Sequence, residues 1–250
     1  MSSPSIQAHN LVKTFGNFTA VKNLNLEVQP GEIFGFLGAN GAGKTTAMRM
    51  LCGLLKPSSG HATVAGFNVS TQTEHVKKNI GYMSQKFSIY DDLTLKENIQ
   101  LFSTIYGLTS AQTQERMKQL AIQFELEDKL KNLVSTLPLG WKQKLAFSIA
   151  VIHQPRIVFL DEPTSGVDPM TRRQFWEMIA DTASTGTTVF VTTHYMDEAE
   201  YCDRVSIMVD GQIQVLDTPQ KIREQFSAQT MDDVFSLLAR QKKTNPKQIL

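Results

Sequence analysis

The chain has 250 residues, of which 41% are hydrophobic and 20% are charged, and its formal net charge is +1. This composition indicates a globular protein that can bury a sizeable core, with room for one large domain or a core with an inserted subdomain. The near-zero charge gives no bulk attraction to nucleic acid or anionic lipid, so no nucleic-acid partner is expected. The mildly basic stretch at residues 240–243 is typical of a solvated chain end.

Cys52 and Cys202 are the only cysteines in the sequence, and their separation matches no metal-ligand spacing. We therefore expect free, buried thiols in a reducing compartment. The first residues lack the basic and apolar segments of a signal peptide, and no run of about 18 apolar residues predicts a membrane span. Any role in transport would thus need a separate membrane partner.

The hydrophobic pattern of the first half predicts strands and then helices. The strands are expected at residues 6–12, 21–28, 33–37, 61–66 and 80–84, the first two as half-exposed antiparallel strands. A helix is predicted over residues 45–55, ended by Lys56 and Pro57. Between residues 94 and 124 the apolar period becomes helical, and we interpret a segment of about residues 90–150 as an inserted helical subdomain.

In the second half, apolar strands alternate with helices, which is the pattern of a parallel sheet covered on both faces. The predicted elements are strands at 156–160 and 187–192, helices at 170–182 and near Met196, a hairpin of 205–209 and 212–215, and a helix at 231–239. The expected organisation is one domain over residues 1–225, followed by a C-terminal helix and tail over 226–250.

A glycine-rich segment between an apolar strand and a helix has the spacing G-x-x-x-x-G-K-T of a phosphate-binding loop. Its glycines allow backbone N–H groups to turn inward around an anion, and the helix that follows directs the positive end of its dipole at the same point. Lys44 would reach the β- and γ-phosphates, and the Thr45 hydroxyl would bind Mg²⁺. The predicted nucleoside triphosphate site comprises Gly38, Ala39, Asn40, Gly41, Ala42, Gly43, Lys44, Thr45 and Thr46.

Two carboxylates, Asp161 and Glu162, end the apolar strand that begins near residue 156. The end of such a strand lies at the carboxyl edge of the sheet, where open α/β sheets bind ligands. We expect Asp161 to hold Mg²⁺, directly or through water, and Glu162 to polarise the attacking water as a general base.

Five segments together resemble the nucleotide-binding domain of ATP-binding cassette (ABC) transporters, from about residue 6 to the end of the hairpin. They are the phosphate loop, residues 157–163, residues 165–169, residues 82–85 and residues 191–194. The resemblance implies an α/β fold: a P-loop NTPase core with a mainly parallel sheet, an antiparallel β subdomain and an inserted α-helical subdomain. It also implies ATP and Mg²⁺ as cofactors.

The same resemblance assigns roles to residues outside the phosphate loop. Gln85 would reach the metal and the attacking water, so that Thr45, Gln85 and Asp161 form the metal set. His194 would contact the γ-phosphate, although on their own Gln85 could be an ordinary loop amide and His194 a surface histidine. Asp168 lies in the loop that crosses between subunits. An aromatic ring would stack on adenine, and Phe15 is preferred over the nearby Phe18.

The chain departs from the family where the helix after the inserted subdomain normally starts with Leu-Ser-Gly-Gly-Gln. Here Pro138 replaces a hydroxyl donor and lacks an N–H group, and Leu139 replaces a glycine, whereas Gly140 remains. We expect hydrolysis to be slower but retained, with Trp141 and the remaining backbone donors compensating in part. The alternative is a tolerated variant without kinetic consequence.

The resemblance implies an ATP-hydrolysing subunit of a membrane transporter at the cytoplasmic face of the membrane, paired with transmembrane subunits and with an identical or different second nucleotide-binding domain. Residues 192–200 and 231–235 resemble those of exporters, and residues 137–141 resemble a variant of multidrug-export-type proteins with two fused nucleotide domains. The chain would then be a single subunit or an excised half.

Residues 86–90 either grip a coupling segment or, through Phe87 and Ile89, join the subdomain core. The alternatives are an ATP-binding structural or regulatory subunit and a soluble ABC-type mechano-ATPase.

Overall fold

The computed structural model describes residues 3–244, with side chains to residue 240. Within this range the strands form two sheets. The smaller sheet is antiparallel, with strand order β2-β1-β4-β5, where β1 is Ile6–Phe15, β2 Phe18–Val28, β4 Ser59–Val64 and β5 Phe67–Asn68. This arrangement confirms the antiparallel pairing predicted for the first two strands.

The larger sheet has the order β10-β9-β3-β8-β7-β6. Its strands are β3 Ile33–Leu37, β6 Ile80–Met83, β7 Ile157–Asp161, β8 Thr188–Thr193, β9 Arg204–Val209 and β10 Gln212–Asp217. All neighbours in it are parallel except β9 and β10, which form the predicted hairpin. The carboxyl ends of β3, β7 and β8 are therefore adjacent.

Eight α-helices are seen in the described residues. They are α1 Lys44–Leu51, α2 Thr73–Asn79, α3 Leu95–Ile105, α4 Ser110–Gln123, α5 Leu139–Val151, α6 Pro169–Ser184, α7 Pro219–Phe226 and α8 Met231–Thr244. The segment predicted as helical near Met196 is a 3-10 helix, Met196–Tyr201. None of the helices in residues 3–244 is long and apolar enough to cross a bilayer.

Three differences from the sequence prediction have local causes. Helix α1 ends at Leu51 rather than at residue 55, because Gly53 takes a positive φ of 68° and turns the chain. Helix α2 was not predicted because Val76 is its one buried residue, so it shows no apolar period. Helix α7 was also missed, although Thr218 caps it and Pro219 opens it, which is a recognisable start signal.

The core lies on both faces of the large sheet. Phe34, Phe36 and Phe159 pack around Phe190 with ring centres 5.4–5.5 Å apart on one face. On the other face α5 is buried from Leu145 to Val151. A Cβ on Gly81 of β6 would lie 2.0 Å from the Ala150 carbonyl oxygen, so a glycine lets this helix lie directly on the strand. The rigid sheet thus fixes the ends of β3, β7 and β8.

Both cysteines are buried free thiols, as predicted. Burial, and to a smaller extent the nearby Asp161 charge, raises the pKa of the Cys52 thiol well above its usual range. Phe87 and Ile89 are partly buried against the core, whereas Tyr90 is exposed. Phe87 and Ile89 thus pack against the core while remaining partly exposed, and contact of residues 86–90 with a coupling segment stays a prediction.

Candidate nucleotide-binding site

The phosphate loop joins the end of β3 to the start of α1. Gly41 and Gly43 have φ values of 81° and 104°, a region that L-residues with side chains rarely adopt. A Cβ on Gly43 would also lie 2.5 Å from the Ala20 carbonyl oxygen of β2. The glycine spacing seen in the sequence is therefore needed for the loop to turn back on itself ahead of the helix N-terminus.

Lys44 is buried inside the loop that precedes it. Its Nζ donates to the carbonyl oxygens of Gly38 at 2.7 Å and Ala39 at 3.2 Å. The same ammonium group lies 3.2 Å from Glu162 Oε1, and both side chains are at most 7% exposed. Because a buried charge is stable only when it is paired, the two groups depend on each other.

Asp161 ends β7 beside the first turn of α1. Its Oδ1 accepts hydrogen bonds from Thr45 Oγ1 at 3.1 Å and from Thr192 Oγ1 of β8 at 2.7 Å. Burial raises the pKa of the Asp161 carboxyl above its ordinary value, while the two hydroxyl donors act in the opposite direction. The structure thus brings together Thr45 and Asp161, two of the three residues that the sequence analysis assigned to Mg²⁺, although they lie 116 positions apart in the chain.

Glu162 is held in an uncommon backbone conformation, with φ of +50°. Its N–H donates to the carbonyl oxygen of Thr192 at 3.1 Å and to its hydroxyl at 3.0 Å. This anchoring aims the carboxylate across the strand ends. Gln85 Nε2 donates to Glu162 Oε2 at 3.0 Å, and His194 Nδ1 lies 3.0 Å from the same oxygen.

Three residues predicted from separate segments, Lys44, Gln85 and His194, therefore meet at the Glu162 carboxylate. Glu162 Oε1 faces the lysine, and Oε2 faces the amide and the imidazole. A carboxylate oxygen can only accept, so the His194 tautomer that fits this contact carries its proton on Nδ1. Nε2 of that tautomer is a hydrogen-bond acceptor, and Glu162 sits between a cation and two donors.

A cleft of about 270 Å³ opens over the phosphate loop. Its lining is Phe18, Ala20, Asn40, Gly41, Gly43, Lys44, Thr45, Thr46, Gln85 and Glu162. Phe18, rather than the preferred Phe15, lines this cleft, and it is 65% exposed. Phe15 is paired with Phe18 at the end of the β1–β2 hairpin and has Lys13 Nζ 5.1 Å from its ring centre. Stacking of Phe15 on adenine stays a prediction.

Gly140 and Asp168 lie apart from this cleft. Asp168 caps α6, accepting from the N–H groups of Met170 and Thr171 at 3.0 Å each, and the Thr171 hydroxyl bond holds its carboxyl pKa below the usual range. Gly140 is in the first turn of α5, where a Cβ would lie 2.8 Å from Thr171 Cγ2. The two residues therefore share one surface, as a site completed by a second chain would require.

The residues near Asp161 suit a metal ion that keeps most of its water. Within residues 3–244 no group of three or more His, Cys, Asp or Glu side chains could by itself hold a metal. Mg²⁺ needs no such cage, because it binds through one or two protein oxygens, waters and substrate phosphates. Asp161 Oδ1 and Thr45 Oγ1 offer such oxygens 3.1 Å apart, so the donor set fits Mg²⁺.

Thr192 is a site residue that the sequence analysis missed. It is fully buried and contacts both Asp161 and the Glu162 backbone. A signal was present: Thr192 and Thr193 follow three apolar residues of the strand, at the carboxyl edge where the site forms. The sequence could not show that β8 lies next to β7 in the sheet.

The fold and the loop define a P-loop nucleotide-binding protein. A family model described as ABC transporter matches residues 21–165, and the chain belongs to this family. A solved "ATP binding subunit of ABC transporter" superposes with a TM-score of 0.84 and 26% identity, over 94% of this chain and 99% of that one. A "Dimeric Structure of MJ0796, a Bacterial ABC Transporter Cassette" matches with a TM-score of 0.77 and 25% identity, over 85% and 98%. The predicted fold class and family are confirmed.

Curated relatives are similar in sequence. The "Probable multidrug ABC transporter ATP-binding protein YbhF" of Escherichia coli K12 is 46% identical over 220 residues, 88% of this chain and 38% of that protein. The "Linearmycin resistance ATP-binding protein LnrL" of Bacillus subtilis is 34% identical, over 90% of this chain and 73% of that protein. The "Nod factor export ATP-binding protein I" of Cupriavidus metallidurans is 38% identical, over 82% and 68%. The chain therefore spans well under half of YbhF and most of the other two.

Proposed function

We propose that this chain binds and hydrolyses ATP as a subunit of an ABC exporter and powers translocation through partner membrane subunits. The observation that carries the proposal is the meeting of Lys44, Gln85 and His194 at the Glu162 carboxylate, directly beside the phosphate loop. ATP-binding domains of the ABC family are ATPases, and this arrangement supplies a phosphate ligand, a base and two orienting groups.

The residues of the chain would act one after another in ATP binding and hydrolysis. The loop N–H groups and Lys44 bind the triphosphate, and the ammonium exchanges Glu162 for the phosphate oxygens. Glu162, released from the ion pair, accepts a proton from water as the water oxygen attacks the γ-phosphorus and the bond to the β–γ bridging oxygen breaks. His194 and Gln85 orient the water and the γ-phosphate. Thr45, Asp161 and Gln85 would hold Mg²⁺, which neutralises the phosphate charge.

A second nucleotide-binding domain, identical or different, would complete the site. In a head-to-tail pair, the Gly140 and Asp168 surface of one chain would face the phosphate loop of the other. The solved dimeric cassette supports the pairing of two such domains. We place the pair at the cytoplasmic face of the membrane. Residues 90–150 would act as the helical subdomain that moves against the rest of the 1–225 domain, with residues 226–250 as an appendage.

Export is the direction supported by the relatives, whose names refer to multidrug transport, linearmycin resistance and Nod factor export. A structural or regulatory subunit is the second candidate. The observation in its favour is that Pro138, at the N-cap of α5, makes no side-chain capping bond, and that Leu139, which replaces a glycine of the family segment, is exposed.

Turnover of ATP by the full chain tests the proposal. We expect Mg²⁺-dependent phosphate release by the wild type and a loss of about 10²- to 10⁴-fold in Glu162→Gln, because the general base is removed. Nucleotide binding should persist in that variant. Glu177→Gln, an exposed carboxylate on α6, is the matched control and should behave as the wild type.

Tight ATP binding with no phosphate release, even with the native membrane partner present, would favour the structural subunit instead. Reconstitution with that partner in vesicles then tests export, through ATP-dependent movement of cargo out of the cytoplasmic side. Co-sedimentation with ribosomes rather than co-purification with a membrane protein would point to a soluble mechano-ATPase.

A further inference from the structure

A second cluster, outside the residues that contact Glu162, joins the start of α6 to the segment after His194. It consists of Arg172, Tyr195, Asp197 and Glu198, and we call it the Arg172 cluster. The guanidinium carbon of Arg172 lies 3.9 Å from the centre of the Tyr195 ring. Its Nη1 lies 3.5 Å from Asp197 Oδ2. A planar guanidinium stacked on an aromatic face is an attractive and directional contact.

The Arg172 cluster is anchored by a buried carboxylate. Glu198 is 0% exposed, and its Oε1 accepts a hydrogen bond of 2.6 Å from Thr164 Oγ1. Arg172 Nε lies 3.7 Å from the same oxygen. Among the described residues, neither Arg172 Nε nor Glu198 Oε2 has a hydrogen-bond partner. Because a buried carboxylate is costly without an opposite charge nearby, Glu198 holds the guanidinium in place over Tyr195.

Tyr195 lies between the Arg172 cluster's buried carboxylate, Glu198, and the residues that contact Glu162. Its ring centre lies 4.2 Å from that of His194, and His194 Nδ1 lies 3.0 Å from Glu162 Oε2. The Tyr195 N–H donates to Thr193 Oγ1 at 3.0 Å, which fixes the backbone on the other side of His194. The imidazole is partly exposed, so its orientation depends on the ring beside it.

We propose that Arg172 is a positioning residue: stacked on Tyr195, it holds the His194 imidazole in the orientation that meets Glu162. Arg172 is in the first turn of α6, whose cap is Asp168, so the same contact ties the position of residues 165–168 to that of His194. The consequence for catalysis rests on the hydrolysis proposed above. A purely structural role, in which Arg172 only neutralises Glu198, is the competing explanation.

Two variants separate these explanations. Arg172→Gln removes the guanidinium and should lower kcat by about 2- to 30-fold, the range expected for a cation–π contact, without changing the KM for ATP. Tyr195→Leu removes the ring but leaves Arg172 beside Glu198, and should lower kcat to a similar extent. The kcat of the double variant should be no lower than that of the slower single variant, because both substitutions remove the same contact between Arg172 and Tyr195.

Matched controls are available in the chain. Arg173→Gln is the same change one residue along, at a side chain that is 76% exposed and paired with Glu177, and it should behave as the wild type. Tyr195→Phe keeps the ring and should restore the kcat lost in Tyr195→Leu. Thermal unfolding shows whether each variant folds. If Arg172→Gln does not fold, Tyr195→Leu still tests the proposal.

The direct readout is the ¹⁵N resonance of the His194 imidazole, identified by its loss in His194→Gln. Both Arg172→Gln and Tyr195→Leu should shift it, and Arg173→Gln should not. A folded variant with lower stability but an unmoved resonance and unchanged kcat would overturn the proposal in favour of the structural role. If the wild type releases no phosphate, the hydrolysis proposal fails, while the resonance still decides whether Arg172 positions His194.

Discussion

At the scale of single residues, the site is arranged around charges that are removed from water. Lys44 and Glu162 form a pair in which neither side chain is more than 7% exposed, and Asp161 is also buried. Such charges do little for folding stability, because their desolvation offsets their attraction. Their placement instead prepares the loop and the strand ends for a polyanion and its metal.

Replacement of Lys44 by Met should affect both binding and folding. ATP affinity is expected to fall by about 10- to 150-fold, since a charged hydrogen bond contributes about 1.5–3 kcal/mol. The free energy of unfolding should fall by about 3–5 kcal/mol because Glu162 is left buried without its cation. Fluorescent-nucleotide titration and urea unfolding measure the two effects.

The double variant Lys44→Met/Glu162→Gln should recover most of the stability but none of the affinity. Lys77→Met, at an exposed lysine paired with Glu74, is the matched control and should change stability by less than about 1 kcal/mol. Undiminished nucleotide affinity in Lys44→Met would contradict the assignment of residues 38–46 as a phosphate-binding loop.

Asp161 makes the nucleotide-free chain less stable as the pH rises. Burial raises its pKa in the folded state above the value in the unfolded chain, so the folded state binds more protons in the window between the two. Stability is therefore lost as the pH rises through the folded pKa. Asp161→Asn should melt at a higher temperature than the wild type at pH 7, and the difference should shrink as the pH falls toward about 4.

Melting curves between pH 4 and 8 measure this effect, with Asp92→Asn as an exposed control that should show no such trend. Asp161→Asn should also lose Mg²⁺-dependent turnover. A variant that is less stable than the wild type throughout this range would show that the ionised carboxylate stabilises the fold.

At the scale of elements, helix α5 combines a well-packed body with a poorly capped start. Its residues from Leu145 to Val151 are buried, yet Pro138 at its cap position supplies no side-chain acceptor. Helices α3 and α4 begin differently: Thr94 and Thr109 form capping boxes with Glu97 and Gln112. The departure from the family sequence therefore coincides with a helix start that has no side-chain cap.

The paired substitution Pro138→Ser with Leu139→Gly should raise ATP turnover by roughly 10- to 150-fold, if one charged hydrogen bond to the transition state is restored. Pro138 has φ of −56° and ψ of 156°, which a serine cap adopts easily, so Pro138→Ser alone should also increase stability by about 1 kcal/mol. Turnover assays and urea unfolding of the single and double variants check both effects. An unchanged rate would show that the segment is merely a tolerated variant.

At the scale of the whole molecule, the head-to-tail pair proposed above predicts that the site in one chain is incomplete. The cleft over the phosphate loop is lined by the chain's own residues, but Gly140 and Asp168 lie on another surface. A head-to-tail pair would bring the Leu139–Gly140 surface of one chain to the phosphates of its partner. Each site would then use one chain's Glu162 and the other chain's α5.

Mixing two inactive variants tests this pairing. Glu162→Gln removes the base, and Leu139→Asp places a negative charge at the start of α5, where a helix tolerates it but a partner's phosphates do not. Each alone should be nearly inactive. An equimolar mixture should regain about a quarter of wild-type turnover, because half of the dimers are mixed and each has one complete site.

Leu139→Asn is the uncharged control of similar size and should retain most of the activity. A mixture no more active than its components would contradict an identical pair of chains and direct attention to a different partner domain.

Much of the site could be predicted from the sequence because its motifs are local. The phosphate loop needs glycines in fixed order before a helix, and Asp161 and Glu162 end a continuous apolar strand, so pattern and spacing were sufficient. The alternation of strands and helices likewise predicted a mainly parallel sheet. Short elements such as α2 and α7 escaped because few of their residues are buried, and propensity alone does not fix them.

The sequence by itself determined the family, the order of strands and helices along the chain, and the residue types that bind phosphate and metal. Only the tertiary structure decided that β8 lies beside β7, so that Thr192 supports both acids, and that Phe18 rather than Phe15 lines the cleft. It alone revealed Arg172 against Tyr195. The physical reason is that strand neighbours and side-chain contacts arise between segments distant in sequence, where no local spacing records them.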